Sequence, residues 1–137
     1  MIEKWLQYTQ RYEGLNVMPY KCPAGHWTIG YGHNLENGIS KEAAQFILLQ
    51  DVNAAQKAVR QQFEGWCQLG EVRQFVLVDM CFNMGIGKLA AFKKMWAALK
   101  RGDYAAASYE MLDSRWAGQV GRRARELAEM MRTGEYL

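Results

Sequence analysis

Apolar residues recur along this chain with two different periods. Between residues 2 and 13, Ile2, Trp5, Leu6 and Tyr12 form a rough stripe with polar residues between them. That spacing predicts an amphipathic helix, punctuated by Gly14. From 16 to 38 the helical period is lost. Pro19 and Pro23 exclude a regular helix there, and Cys22-Pro23-Ala24-Gly25 reads as a turn. His26-Trp27-Thr28-Ile29-Gly30-Tyr31 is β-branched and aromatic, which is strand-like, and Glu36-Asn37-Gly38 reads as a second turn. A small antiparallel sheet is predicted.

Beyond residue 38 the pattern is helical. Ser40 is a good N-cap. Ala44, Ile47, Leu48, Val52, Ala55, Val59 and Phe63 then step by three or four along one face of a long helix. Residues 71–84 contain Phe75-Val76-Leu77-Val78 and Met80-Cys81-Phe82, apolar almost all round, which predicts a helix buried at the centre of a bundle and capped by Gly85. Phe92, Met95, Trp96 and Leu99 mark another helix ended by Gly102. Asp103 caps the next, through Leu112, and a last helix runs from about Arg122 to Met131, before Gly134. The fold class is α+β, with the sheet segregated from the helices. One domain is expected over 1–137: a sheet lobe over about 14–38, and a helical lobe over about 40–137 that includes the N-terminal helix. A cleft between two such lobes is a natural ligand site.

Composition narrows the function classes. The chain has 137 residues, half of them apolar and 23% charged, which suits a folded domain and not a disordered one. The net charge of +3 is a mild bias toward anionic polymers, but the basic residues are scattered, and no interleaving of aromatic and basic residues supports nucleic-acid binding. Three cysteines, Cys22, Cys67 and Cys81, make an odd and widely spaced set, so no disulfide framework is expected. No Cys-x-x-Cys pair or histidine cluster suggests zinc, and no cofactor is implied. The opening MIEKWLQYTQ carries charges where a signal peptide needs an apolar run, and no stretch is long enough to span a membrane. Synthesis in the cytoplasm without an export address is expected.

Candidate chemistry gathers early. Eight residues separate Glu13 from Cys22, and five separate Cys22 from Thr28. A helix end, a loop and a strand that meet can set three side chains around one small volume. Glycosidase chemistry needs an acid to protonate the leaving oxygen and a second group, opposite, to manage water or act as nucleophile. On the residues alone each has an ordinary explanation. A glutamate at a helix end sits in solvent, a cysteine beside a turn packs, and a threonine in a strand is there for its β-propensity.

Tyr12-Glu13-Gly14-Leu15, Tyr20-Lys21-Cys22, Gly25 and Thr28-Ile29-Gly30-Tyr31-Gly32-His33 together resemble the catalytic lobe of the T-even phage lysozymes, glycoside hydrolase family 24. The family's triad is Glu, then Asp or Cys, then Thr, at this spacing. Phe82-Asn83-Met84-Gly85 resembles the end of its central helix, and Ser114-Arg115-Trp116, Gln119, Arg123-Ala124 and Arg132-Thr133-Gly134 resemble its C-terminal signature. The resemblance implies Glu13 as general acid, Cys22 in the usual place of aspartate and Thr28 positioning the water. It makes Arg123 the arginine that pairs with the catalytic glutamate, places Asn34 and Phe82 in the cleft against the sugar chain, and offers Gln119 as a further contact. His33 is structural by resemblance, held by a carboxylate. Trp27 is the tryptophan to test for sugar stacking, while Trp96 and Trp116 read as core, as does Cys81. Arg122 and Arg125 are read as meeting the anionic wall.

Two departures stand out. The second carboxylate is absent, and a free thiol with a pKa of about 8.5 needs a nearby cation to be charged at neutral pH. Whether the reaction inverts or retains configuration stays open on sequence. The helical region is also shorter than in the T-even enzymes, as if one short helix were missing. The implied activity is an endolysin cutting the β-1,4 bond between N-acetylmuramic acid and N-acetylglucosamine in peptidoglycan, as a monomer without membrane insertion, with a separate holin to reach the wall. Two alternatives are a lytic transglycosylase, in which glutamate acts alone, and a wall-binding module that has lost catalysis.

Overall fold

The computed structural model describes residues 1–137 without interruption. They form two compact units, Met1–Phe46 and Ile47–Leu137.

In the first unit, helix α1 (Ile2–Glu13) closes with the Gly14 amide donating to the Gln10 carbonyl at 2.9 Å. Its amphipathic stripe is present, yet none of its residues is buried. Strands β1 (Asn16–Lys21), β2 (Trp27–Gly30) and β3 (His33–Asn34) follow as an antiparallel sheet in that order, the sheet read from the sequence. The pairing slips between Asn16 and Tyr20, the stretch containing Pro19, which has no N–H to give a ladder and lies on an edge strand. Tyr20 lies opposite Thr28, and Thr28 opposite Asn34, so these three share one face of the sheet. Lys21 opposite Trp27, and Ile29 opposite His33, belong to the other face. The predicted turn at 22–25 is closed by the Gly25 amide donating to the Cys22 carbonyl at 2.8 Å. Asn34 caps a 3₁₀ turn, Leu35–Asn37.

Helix α2 (Lys41–Gln62) is capped as expected, with the Ala43 amide donating to Ser40 Oγ at 3.1 Å. Its apolar face is buried only toward its C-terminal end, at Ala55 and Val59; Ile47, Leu48 and Val52 are exposed. The core of the second unit lies against that end alone, so the spacing marked the face of the helix but not how much of it is covered. After a 3₁₀ stretch, Glu64–Gln68, comes α3 (Gly70–Met84), the buried central helix that the sequence predicts. Val76, Leu77, Val78, Met80 and Cys81 are buried, and Phe75, Asp79 and Phe82 make up the less covered stripe at i, i+4 and i+7.

The remaining helices are α4 (Ile86–Ala90), α5 (Lys93–Lys100), α6 (Tyr104–Leu112), α7 (Arg115–Val120) and α8 (Arg122–Thr133). Asp103 caps α6 through the Ala106 amide at 3.0 Å. Helices α4 and α7 were not expected; at five and six residues they are too short to display a period. Leu89 of α4 joins Leu77, Met80, Met95, Met111 and Met131 of the neighbouring helices in one core, each burial contributing about 2 kcal/mol. Trp116 is buried as expected. Trp96 is half-buried, packed against the core, and its indole donates to the Leu89 carbonyl at 2.9 Å. Arg73 closes α8, donating to the carbonyls of Met131 at 2.7 Å and Arg132 at 3.1 Å while lying 3.6 Å over the Tyr104 ring. Those carbonyls have no partner within the helix, so the guanidinium serves as its C-terminal cap.

Candidate active site

Glu13 is the last residue of α1, and its carboxylate lies directly on Gly32 in the link between β2 and β3. A Cβ built on Gly32 falls 2.6 Å from Glu13 Oε2. Gly32 also has a φ of 79°, which disfavours any side chain. The glycine between Tyr31 and His33 is thus required twice, by its backbone and by the glutamate resting on it.

Cys22 and Thr28 meet across the first hairpin. Cys22 pairs across the turn with His26, two residues before Thr28, so the side chains of Cys22 and Thr28 leave the same face of the hairpin. The turn fixes this arrangement, since the Cys22 amide donates to the His26 carbonyl at 2.9 Å. The His26 amide, more than any other contact, holds the thiol below its usual range; desolvation opposes it as the next largest effect, and the Ala24 amide and, least of all, the charge of His26 add to the lowering. Cys81 shows the contrary case: buried in α3, its thiol is pushed up by desolvation. All three cysteines are free, and Cys67 is exposed. Thr28 is buried, and its hydroxyl donates to the His26 carbonyl at 2.9 Å, which leaves its oxygen lone pairs to accept.

The two histidines have distinct jobs. His33 is structural, but its partner is the Gly38 carbonyl at 2.7 Å from Nε2, not the carboxylate expected. The carboxylate belongs to His26, whose Nδ1 lies 2.8 Å from Glu36 Oε2. That bond and the charge of Glu36 raise the His26 pKa. Asn34, on the same sheet face as Thr28, uses Oδ1 to accept from the Glu36 amide at 2.9 Å, so its amide nitrogen remains for a ligand. Trp27 stands on the opposite face, half-exposed, with Lys21 Nζ 5.3 Å from its ring.

In the second unit, Arg123 at the start of α8 pairs bidentately with Asp79 of α3. The resemblance gave this arginine a glutamate partner; Asp79, which the sequence reading did not single out, orients it within the unit. The pair engages Nε and Nη2 and leaves Nη1 for another acceptor. Arg122, read as facing the wall, donates to Glu126 at 2.7 Å, one turn along α8. Gln119 of α7 lines a groove of about 480 Å³ with Asn83, Lys88, Ser114 and Trp116. Trp116 Nε1 donates to Asn83 Oδ1 at 2.7 Å, which fixes the groove floor. Phe82 stands on the wall of a separate groove with Ala54, Ala58 and Ile86.

Two associations are therefore built within the first unit: Glu13 with Gly32, and Cys22 with Thr28, His26 and Glu36. Asp79, His26 and Glu36 are the residues to which the sequence reading assigned no role in the site, and Gly32 entered it only as part of a motif, without its contact to Glu13. A carboxylate inside a buried run and a glycine after a strand have common structural uses, and only their partners distinguish them. No three of the histidines, cysteines and acids converge as metal donors.

The chain is similar to known proteins along most of its length. Residues 10–132 match the family model described as phage lysozyme. The chain is 31% identical to an endolysin of Acyrthosiphon pisum secondary endosymbiont phage 1, over 88% of this chain and 84% of that one. It is 26% identical to the pre-baseplate central spike protein Gp5 of Enterobacteria phage T4, over 91% of this chain but 27% of that longer protein. Probable T4-type lysozyme 1 of Dictyostelium discoideum is 22% identical over 89% of each chain.

Proposed function

Because this chain belongs to the phage lysozyme family, whose members include peptidoglycan-degrading endolysins, we propose that it is a muramidase that cuts the β-1,4 bond between N-acetylmuramic acid and N-acetylglucosamine, with Glu13 as general acid. The observation that carries this reading is the seat of the Glu13 carboxylate on Gly32, a fixed carboxyl in the same compact unit as the Cys22–Thr28 pair.

Glu13 gives its proton to the glycosidic oxygen as the bond to the anomeric carbon breaks. Thr28, whose own hydrogen is directed to the His26 carbonyl, accepts a hydrogen bond from the attacking water and so turns the water's lone pair outward. The Cys22 sulfur takes the water's proton, and the hydroxyl joins the anomeric carbon. Asn34 in the first unit, and Phe82, Gln119 and Arg123 in the second, are assigned to the sugar chain. No helix is long and apolar enough to cross a membrane, and passage to the wall is assigned to a holin that releases this monomeric enzyme from the host cytoplasm.

The test is to digest purified peptidoglycan with the protein and to identify the released ends by mass spectrometry. Reducing N-acetylmuramic acid ends support the reading. Anhydro-muramic ends overturn it in favour of a lytic transglycosylase, and wall binding without cleavage overturns it in favour of a binding module.

A further inference from the structure

Cys22 stands where the family uses a carboxylate, and a thiol at its ordinary pKa of about 8.5 is mostly uncharged at neutral pH. The first unit contains an arrangement that compensates. His26 lies at the far end of the turn that begins at Cys22, and the turn is closed by the Cys22 amide on the His26 carbonyl at 2.9 Å and the Gly25 amide on the Cys22 carbonyl at 2.8 Å. Cys22 and His26 face each other as the next pair beyond Lys21 and Trp27, so their side chains leave the same face of the hairpin. Behind it, the His26 imidazole is held through Nδ1 by Glu36, 2.8 Å away and ten residues along the chain, on the 3₁₀ turn that Asn34 caps. Sulfur, imidazole and carboxylate thus follow one another in space, with charges that alternate once the thiol is ionised.

We propose that His26 and Glu36 are positioning residues for the reaction: Glu36 orients the His26 imidazole and favours its charged form, and His26, the cross-strand neighbour of Cys22, favours the thiolate of Cys22 in the place of the missing aspartate. This rests on the muramidase reading for its catalytic half only. His26 is the charged group that acts on the sulfur, and Glu36 and Cys22 are the ones that act on His26. Of the other titratable groups on these elements, Lys21 lies over the Trp27 ring, Glu13 lies on Gly32 and His33 is bound to the Gly38 carbonyl. Both His26 and Glu36 are half-exposed, so the effect is moderate and screened by salt. A neutral serine or threonine at position 22 would gain nothing from such a neighbour, whereas a thiol, whose pKa lies within reach of neutrality, does.

The experiment separates the two halves. In a Cys67→Ser, Cys81→Ala background, the rate of Cys22 alkylation by iodoacetamide is followed against pH, because that rate reports the thiolate fraction. The midpoint is expected below that of an ordinary thiol, and both His26→Gln and Glu36→Gln should raise it. The acid limb of the pH profile for peptidoglycan hydrolysis should move upward with it. Thermal unfolding of each variant confirms that the hairpin is intact; if His26→Gln fails to fold, Glu36→Gln alone carries the test. An unmoved alkylation midpoint overturns the proposal. A midpoint that moves while the hydrolysis profile stays in place overturns its catalytic half. The alkylation result stands whether or not the protein proves to be a muramidase.

Discussion

Arg123 grips Asp79 with two parallel bonds, Nε to Oδ2 at 2.8 Å and Nη2 to Oδ1 at 2.9 Å, joining the first turn of α8 to the middle of α3. Fork-to-fork pairing of this kind fixes the guanidinium plane as well as its position. Helix α8 begins after Gly121 with no side-chain cap, so the pair also anchors an end that is otherwise loose.

Removing the carboxylate therefore costs more than removing an exposed charge. Asp79→Ala leaves a part-buried guanidinium without its partner and is expected to destabilise the protein by about 1–2 kcal/mol. Urea unfolding measures this directly. Arg122→Ala, which breaks the exposed pair with Glu126, serves as the comparison and should cost less than about 0.5 kcal/mol. Equal costs for the two would show that Asp79 does not hold Arg123 in solution.

Gly32 offers a way to move the glutamate without altering its chemistry. Gly32→Ala introduces left-handed backbone strain of about 1–2 kcal/mol and also a methyl group where Glu13 Oε2 now rests. Gly102→Ala has the same sign of φ, at 73°, and open space around the added carbon. Both variants should lose comparable stability, but only Gly32→Ala should lose hydrolytic activity at a temperature where each remains folded. Matching activities would mean that the seat of Glu13 is not needed for the reaction.

Much of this was readable from the chain, and the exceptions share a cause. Strands around Thr28, the turn at Cys22–Gly25, and the caps Ser40 and Asp103 are local features, specified by residues within a few positions of one another, and the structure contains them. The buried run of α3 was legible because its apolar residues leave almost no polar face. The exposed middle of α2 was not, since Ile47, Leu48 and Val52 repeat as a buried face does, and periodicity cannot say whether a neighbour arrives. The partners of Arg73, Arg123 and His26 were also hidden. Arg73 meets the end of α8 across 58 residues, and Arg123 meets Asp79 across 44. His26 and Glu36 are nearer, but the sequence offered His33 an unnamed carboxylate and gave the histidine four residues beyond the cysteine no role. The motif spacing identified Glu13, Cys22 and Thr28 by likeness to a family; it did not identify what holds them.

The His26–Glu36 pair carries a pH dependence whose sign is fixed. Glu36 raises the His26 pKa above its ordinary value of 6.5, because the charged imidazole is favoured in the folded chain. The stabilisation from the pair is fully present below the unfolded value and is lost as pH rises through the folded one. In an NMR titration, the His26 ring protons should show a midpoint above 6.5, and Glu36→Gln should bring it back toward that value. A wild-type midpoint at or below 6.5 would contradict the contact.

The central claim is that Glu13 supplies the proton that breaks the glycosidic bond. Glu13→Gln keeps the size of the side chain and its seat on Gly32 and removes the acid. The rate of release of muramic-acid reducing ends, compared between wild type and Glu13→Gln with unfolding curves as the control, tests the claim most directly. The account predicts a fall of about 100-fold or more with stability unchanged. Release within about twofold of wild type, from a folded Glu13→Gln protein, would contradict it, since an acid worth so little contributes well under 1 kcal/mol to the barrier.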